Sequence, residues 1–197
     1  MDYDLKITGG TIVDGTGQAR FRGDVAVRDG KVAALGRIKG NARHTIDAGD
    51  LVVCPGFVDI HTHYDAQILW DPNLSISPWH GVTTAVMGNC GFGIAPVRPA
   101  DRIAMLKTLE KVEGMSYEAL EAGLGLDWPF ETFSEYLACL QHQGSSINVA
   151  AFVGHTPLRL YVMGDDAMER EATDSEVAAM AAPVSYTHLR AHETRTN

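Results

Sequence analysis

The sequence predicts an α/β protein in two parts: a small β domain over residues 1–52, then strands and helices of a parallel sheet over residues 53–183. Three observations lead there. Residues 3–47 alternate apolar and polar between glycine-bearing turns, as short half-buried strands do. From Leu51 the apolar runs become continuous and are separated by longer, partly helical segments, the pattern of βαβ units. The first of these runs ends in His61-Thr62-His63, two imidazoles one residue apart at the C-terminal end of a strand.

Taken in order, Tyr3-Asp4-Leu5-Lys6-Ile7 alternates as a strand, Gly9-Gly10 is expected to turn the chain, and Thr11-Ile12-Val13 to run back. Asp24–Leu35 is expected to fold as a hairpin. Its tip, Asp29-Gly30, suits a type I′ turn, in which both central residues take positive φ. Thr45-Ile46-Asp47 is a further short strand. Parallel strands are placed at Val52–Ile60, Thr83–Met87 and Ile147–Val153. Helices are expected over Asp101–Val112 and Phe133–Gln143. The second sets Phe133, Tyr136, Leu137 and Leu140 on one buried face by their i, i+3, i+4, i+7 spacing. A last helix begins at Thr173, where Thr173-Asp174-Ser175-Glu176 reads as a capping box.

Composition narrows the function classes. Hydrophobic residues at 45% with 21% charged describe an ordinary globular chain, not a disordered one. A net charge of -9 argues against a nucleic-acid partner, which needs a basic footprint. No apolar stretch approaches the ~20 residues of a membrane span. Met1-Asp2-Tyr3-Asp4 lacks the cationic flank of a signal peptide, and three cysteines do not make a disulfide framework. The expected location is cytoplasmic.

The residues with chemistry cluster at strand ends. Side chains alternate along a strand, so His61 and His63 point the same way with Thr62 turned aside, and together they can chelate one divalent ion. The alternative is a pair of ordinary polar residues where a strand meets its loop. Cys90 closes the Thr83–Met87 strand in the same relative position, beside Gly91, which lets the backbone turn sharply. As a thiolate it would be a strong, soft zinc ligand; its alternative is a small buried hydrophobe. Asp65 either orients an imidazole through a hydrogen bond or is a plain loop carboxylate. His155, after the third parallel strand and Gly154, is expected at the rim, where it would touch substrate or support the ligands. Cys54 and Cys139 are expected in the core, and His44, His80 and His142 on the surface or rim.

Pro55–Gln67 resembles the opening barrel strand of the amidohydrolase superfamily. Gly88-Asn89-Cys90-Gly91-Phe92 resembles its D-aminoacylase (N-acyl-D-amino-acid deacylase) branch, and the likeness runs from about residue 3 to about residue 180. The resemblance implies a (β/α)8 TIM-like barrel preceded by a small β-sandwich domain. It implies an incomplete barrel here, since the full one takes ~250 residues and three strands are read. It further implies zinc held by His61, His63 and Cys90, activating water against the linear amide of a small-molecule N-acyl-D-amino acid. More histidines and a general-base aspartate come late in such barrels. The catalytic base is therefore expected beyond the end of this chain, and the 197 residues are expected to be inactive by themselves.

Two other readings stay open: a cyclic amidase of the hydantoinase or dihydroorotase type, which shares the paired histidines, and a non-catalytic metal-binding fragment. Val184–Thr194 has no counterpart in the family and resembles a translated sequencing adapter. Residues 184–197 are accordingly expected to be a non-native tail, and its i, i+4 pair His188 and His192 is set aside as a metal site.

Overall fold

In the computed structural model, which describes residues 2–193, the chain divides into two units, Met1–Gly56 and Phe57–Asn197. The first is built on one mixed sheet. Strand β1 (Tyr3–Ile12) has β2 (Phe21–Arg28) antiparallel on one side, with β3 (Lys31–Gly36) antiparallel beyond it. On the other side β4 (Ala42–Asp47) and β5 (Val52–Val53) both pair parallel with β1. Where a sandwich was expected, the described residues of this unit form one sheet, with Ile12, Val25, Ala26 and Ala48 buried and Val32, Leu35 and Ile46 exposed.

The chain does not turn at Gly9-Gly10; β1 runs straight through. Its register steps from Ile7↔Val25 to Gly10↔Gly23, so Thr8 and Gly9 together face Asp24 in a β-bulge. Gly9 takes φ 69°, and its N–H donates to Asp24 Oδ1 at 2.9 Å. Gly10 is required by packing, because a Cβ there would fall 2.6 Å from Val53 Cγ2. Glycine serves turns and bulges alike, so the residue pattern could not separate them. The hairpin tip is as expected: Asp29 at φ 52° and Gly30 at φ 70° join Arg28 to Lys31.

The expected strand Val52–Ile60 is broken in two. Val52–Val53 belongs to the first sheet, and after Pro55-Gly56 a new strand, β6 (Phe57–Asp59), opens the second. Proline has no N–H to give a ladder, which favours a break there. A 3-10 turn (Gln67–Leu69) and a short helix α1 (Ile76–Trp79) lead to β7 (Val82–Met87). Next come helices α2 (Arg102–Glu113), α3 (Tyr117–Leu124) and α4 (Phe133–Gln143), then β8 (Asn148–Ala151), shorter than the expected Ile147–Val153. Helix α5 (His155–Met163) and helix α6 (Asp174–Glu193) follow. The strands β6-β7-β8 run parallel in that order and form an open sheet, part of a (β/α) barrel.

The core of this unit lies where helices cover β7. Ala85 and Met87 are fully buried with Ile68, Leu74, Met105, Leu106, Leu109, Phe133, Tyr136 and Leu140 in one cluster. Helix α4 starts from a capping box: Thr132 Oγ1 accepts from the Glu135 N–H at 3.2 Å, and Glu135 Oε2 from the Thr132 N–H at 2.9 Å. Leu137, expected in the core, is 39% exposed. It sits on the flank of the stripe formed by Phe133, Tyr136 and Leu140, and instead lines a groove with β8. One organising residue has no signal in the local sequence. Buried Arg102 donates to the carbonyls of Leu126 and Trp128, both at 2.8 Å, and of Phe130 at 3.1 Å, with its guanidinium over the Trp128 ring.

Helix α6 has the expected capping box, Thr173 N–H to Glu176 Oε2 at 2.8 Å and Glu176 N–H to Thr173 Oγ1 at 3.4 Å. It continues through Pro183 to Glu193, past the start of the expected tail. Residues 194–197 of that tail and the side chains of His188 and His192 lie outside the described residues. Among the described residues no helix is long and apolar enough to cross a membrane.

Candidate metal centre

Strand β6 ends at Asp59, but its ladder with β7 reaches further. The Thr62 N–H donates to the Val86 carbonyl at 3.0 Å, and Thr62 Oγ1 donates to the same oxygen at 2.8 Å. Thr62 is thereby buried, while His61 before it is exposed and His63 after it half-buried. Their rings lie 5.5 Å apart, tilted by 46°. The alternation that begins in the strand thus persists for a few residues beyond it.

Strand β7 hands over to a sharp turn. Gly88 (φ 78°), Cys90 (φ 57°) and Gly91 (φ 78°) all occupy the left-handed region. A Cβ on Gly88 would meet the Phe152 carbonyl oxygen at 2.2 Å, so glycine alone fits. Asn89 ties the turn to both strands, its Nδ2 donating to Val86 O at 2.8 Å and Thr62 O at 3.3 Å. Asp65 is buried, and its Oδ2 accepts from the Gly88 N–H at 3.0 Å. The Asp65 carbonyl in turn accepts from Tyr136 Oη at 2.9 Å, and burial, then the nearby Asp65 charge, pushes that hydroxyl's pKa well up.

This scaffolding sets Cys90 Sγ 3.1 Å from His61 Nε2. The ligand atoms of His61, His63 and Cys90 all lie within 4.8 Å of one another, and no other such trio occurs among the described residues. Donors around one tetrahedral zinc, with bonds of ~2.0–2.3 Å, lie roughly 3.3–3.8 Å apart. The 3.1 Å pair falls just short of that range and the widest pair exceeds it by at most about an ångström, so small side-chain shifts would meet the geometry. Two imidazoles with a thiol suit a borderline-soft ion. His61 and Cys90 are exposed, so the cluster opens to solvent.

His155 starts α5 beside the turn: its Cβ lies 3.6 Å from where a Cβ on Gly91 would sit. It is exposed and stands outside the trio. Cys54, expected in the core, is exposed, because the chain leaves the first sheet at Val53. Cys139 is half-buried against the core, and His44, His80 and His142 are exposed. The clamps by Thr62, Asn89 and Asp65 on the Gly88 turn were not foreseen. The one hint was an asparagine between Gly88 and Cys90, since such side chains commonly bond to nearby backbone.

A family model described as "Amidohydrolase family" matches residues 44–186, well over half of the sequence. The chain belongs to the amidohydrolase family. It is similar to D-aminoacylase of Alcaligenes xylosoxydans xylosoxydans, 41% identical over 179 residues that make 90% of this chain and 34% of that protein. N-acyl-D-aspartate deacylase of the same organism is 38% identical over 91% of this chain and 33% of its own. Among solved structures, N-acyl-D-glutamate deacylase of Bordetella bronchiseptica, complexed with zinc and a phosphonate mimic of the tetrahedral intermediate, superposes with a TM-score of 0.73. It is 40% identical, over 90% of this chain and 34% of that one. A D-aminoacylase described by its binuclear metal centre gives a TM-score of 0.73 at 37% identity, over 91% and 35%. The chain spans about a third of the length of these relatives.

Proposed function

We propose that this chain supplies the opening strands and the first metal ligands of a zinc-dependent hydrolase, one that cleaves the linear amide of N-acyl-D-amino acids to a D-amino acid and a carboxylate. The observation that carries the reading is Cys90 Sγ at 3.1 Å from His61 Nε2, with His63 completing a compact donor set. The deacylase names of the relatives supply the substrate class. Zinc, when bound, polarises the amide carbonyl and activates water. His61 and His63 give neutral ligands from one strand end, and Cys90 gives an anionic one from the next. Thr62 and Asn89 hold the two strand ends together, so the donors keep their spacing. A carboxylate that returns the proton to the leaving amine belongs, in this reading, to a later part of the barrel. Cyclic amidases share His61-Thr62-His63 but are the weaker reading, because Cys90 places a thiol among the donors. A cytoplasmic setting suits the free cysteines.

The test has two arms. The chain is expected to bind zinc, to show a thiolate-to-metal absorption band with cobalt(II), and to release no amino acid by itself. Substituted for the matching third of the Alcaligenes D-aminoacylase, it is expected to restore release of free amino acid from N-acyl-D-amino acids. A hybrid that opens hydantoins and leaves acyl-D-amino acids intact would move the assignment to the cyclic amidases.

A further inference from the structure

We propose that Asp65 is a positioning residue for Cys90, its buried carboxylate gripping the Gly88 amide and so fixing the turn that aims the thiol at His61. The inference rests on the reading of His61, His63 and Cys90 as metal ligands. Asp65 is 4% exposed, and a carboxylate is costly to bury unless specific bonds hold it. Its bond to the Gly88 N–H, at 3.0 Å, joins the loop after β6 to the first residue of the turn after β7. The other oxygen, Oδ1, lies 3.4 Å from where a Cβ on Gly93 would stand. The carboxylate therefore sits within reach of both ends of the 88–93 turn.

Cys90 needs that support. A non-glycine residue in the left-handed region costs about 1–2 kcal/mol and persists only where its surroundings impose it. Asn89 anchors the turn toward the strands, and the Phe152 carbonyl closes the space over Gly88. Asp65 is held in turn by α4, through Tyr136 Oη on its carbonyl. A continuous line runs from the packed core through Asp65 and Gly88 to the thiol.

The experiment compares zinc affinity, by chelator competition, with the cobalt(II) thiolate band and the alkylation rate of Cys90 in the metal-free chain, mapped by mass spectrometry. Asp65→Ala is expected to weaken zinc by roughly 10–100-fold, the range for residues that support ligands, and to change both other readouts. Asp65→Asn keeps an acceptor at the same distance and should stay within about threefold of wild type. Asp65→Glu keeps the charge but displaces it by one methylene, and should bind more weakly than Asp65→Asn. In a Cys90→Ala background, Asp65→Ala should leave the residual affinity nearly unchanged, because the two act through one ligand.

Unaltered affinity in Asp65→Ala would overturn the proposal. So would Asp65→Asn binding no tighter than Asp65→Glu, a comparison that stands even where Asp65→Ala does not fold. Full loss on adding Asp65→Ala to Cys90→Ala would transfer the role to the histidines and refute it too. A wild-type chain with no thiolate band overturns the metal reading itself and this proposal with it, a result distinct from the others.

Discussion

Cys90 holds a backbone conformation that suits glycine, between two glycines that share it. Stability and ligation are set against each other at this one residue, which yields a paired prediction. Cys90→Gly should leave the metal-free chain as stable as wild type or up to about 1 kcal/mol more so, since it removes left-handed strain at some entropic cost. On the proposed ligation, the same variant should lose zinc affinity by about 100-fold or more, because an anionic ligand would be gone. Thermal unfolding with and without zinc measures both; a less stable metal-free variant would mean the side chain packs rather than strains. Gly88 makes a second case. Gly88→Ala meets both a positive φ and a backbone carbonyl at 2.2 Å, whereas Gly30→Ala meets the positive φ with open space around it. The expected costs are about 3 kcal/mol or more for the first and about 1 kcal/mol for the second. Equal urea midpoints for the two would show that the Phe152 segment yields.

Helix α4 was the most legible element, found over Phe133–Gln143 as the spacing of Phe133, Tyr136, Leu137 and Leu140 implied, although Leu137 itself is exposed. Its cap explains why the start was so plain, and it carries a pH dependence. The amide groups of Thr132 first and Glu131 second, with the Thr132 hydroxyl, hold the Glu135 carboxyl below its ordinary value. A depressed carboxylate contributes its stability above the unfolded pKa, near ~4.3, and loses it as pH falls through the lower folded value. Stability should therefore drop on acidification below about pH 4.3, and drop less steeply in Glu135→Gln. Thr132→Ala should cost about 1 kcal/mol at neutral pH. Parallel acid profiles for wild type and Glu135→Gln would remove the cap from this account. Arg102 is the opposite case, invisible in the sequence because its partners are backbone carbonyls 24 to 28 residues away. Arg102→Lys should fail to rescue, since a single ammonium cannot match a planar fork spread over three acceptors. Chemical denaturation is expected to show a loss of about 2–4 kcal/mol for Arg102→Lys and Arg102→Ala alike.

Across the whole molecule, local pattern located most elements, though it misplaced a turn at Gly9-Gly10 and wrongly buried Leu137, and what depends on distant partners was not legible. The proposed donors His61, His63 and Cys90, which the structure brings within 4.8 Å of one another, stood out because each sits at a strand end, where alternation and glycine are local signals. The Asp65 to Gly88 bond spans 23 residues, and the break at Pro55-Gly56 depends on Val52–Val53 finding β1, so neither was readable. The second sheet raises a question of its own, because parallel strands are normally covered on both faces. Phe57, Val58 and Ile60 around β6, and Phe152 after β8, are each more than half exposed, Ile60 reaching 72%. Strands β6 and β8 are also the sheet's two edges. Unpaired edges beside exposed apolar side chains invite pairing between chains. The chain is therefore expected to self-associate increasingly with concentration in sedimentation velocity runs. Val58→Lys combined with Ala150→Lys puts a charge on an exposed position of each edge strand and should shift the distribution toward monomer. A wild-type chain that stays monomeric throughout would show that these edges are protected, and association unchanged by the two lysines would place the contact elsewhere on the surface.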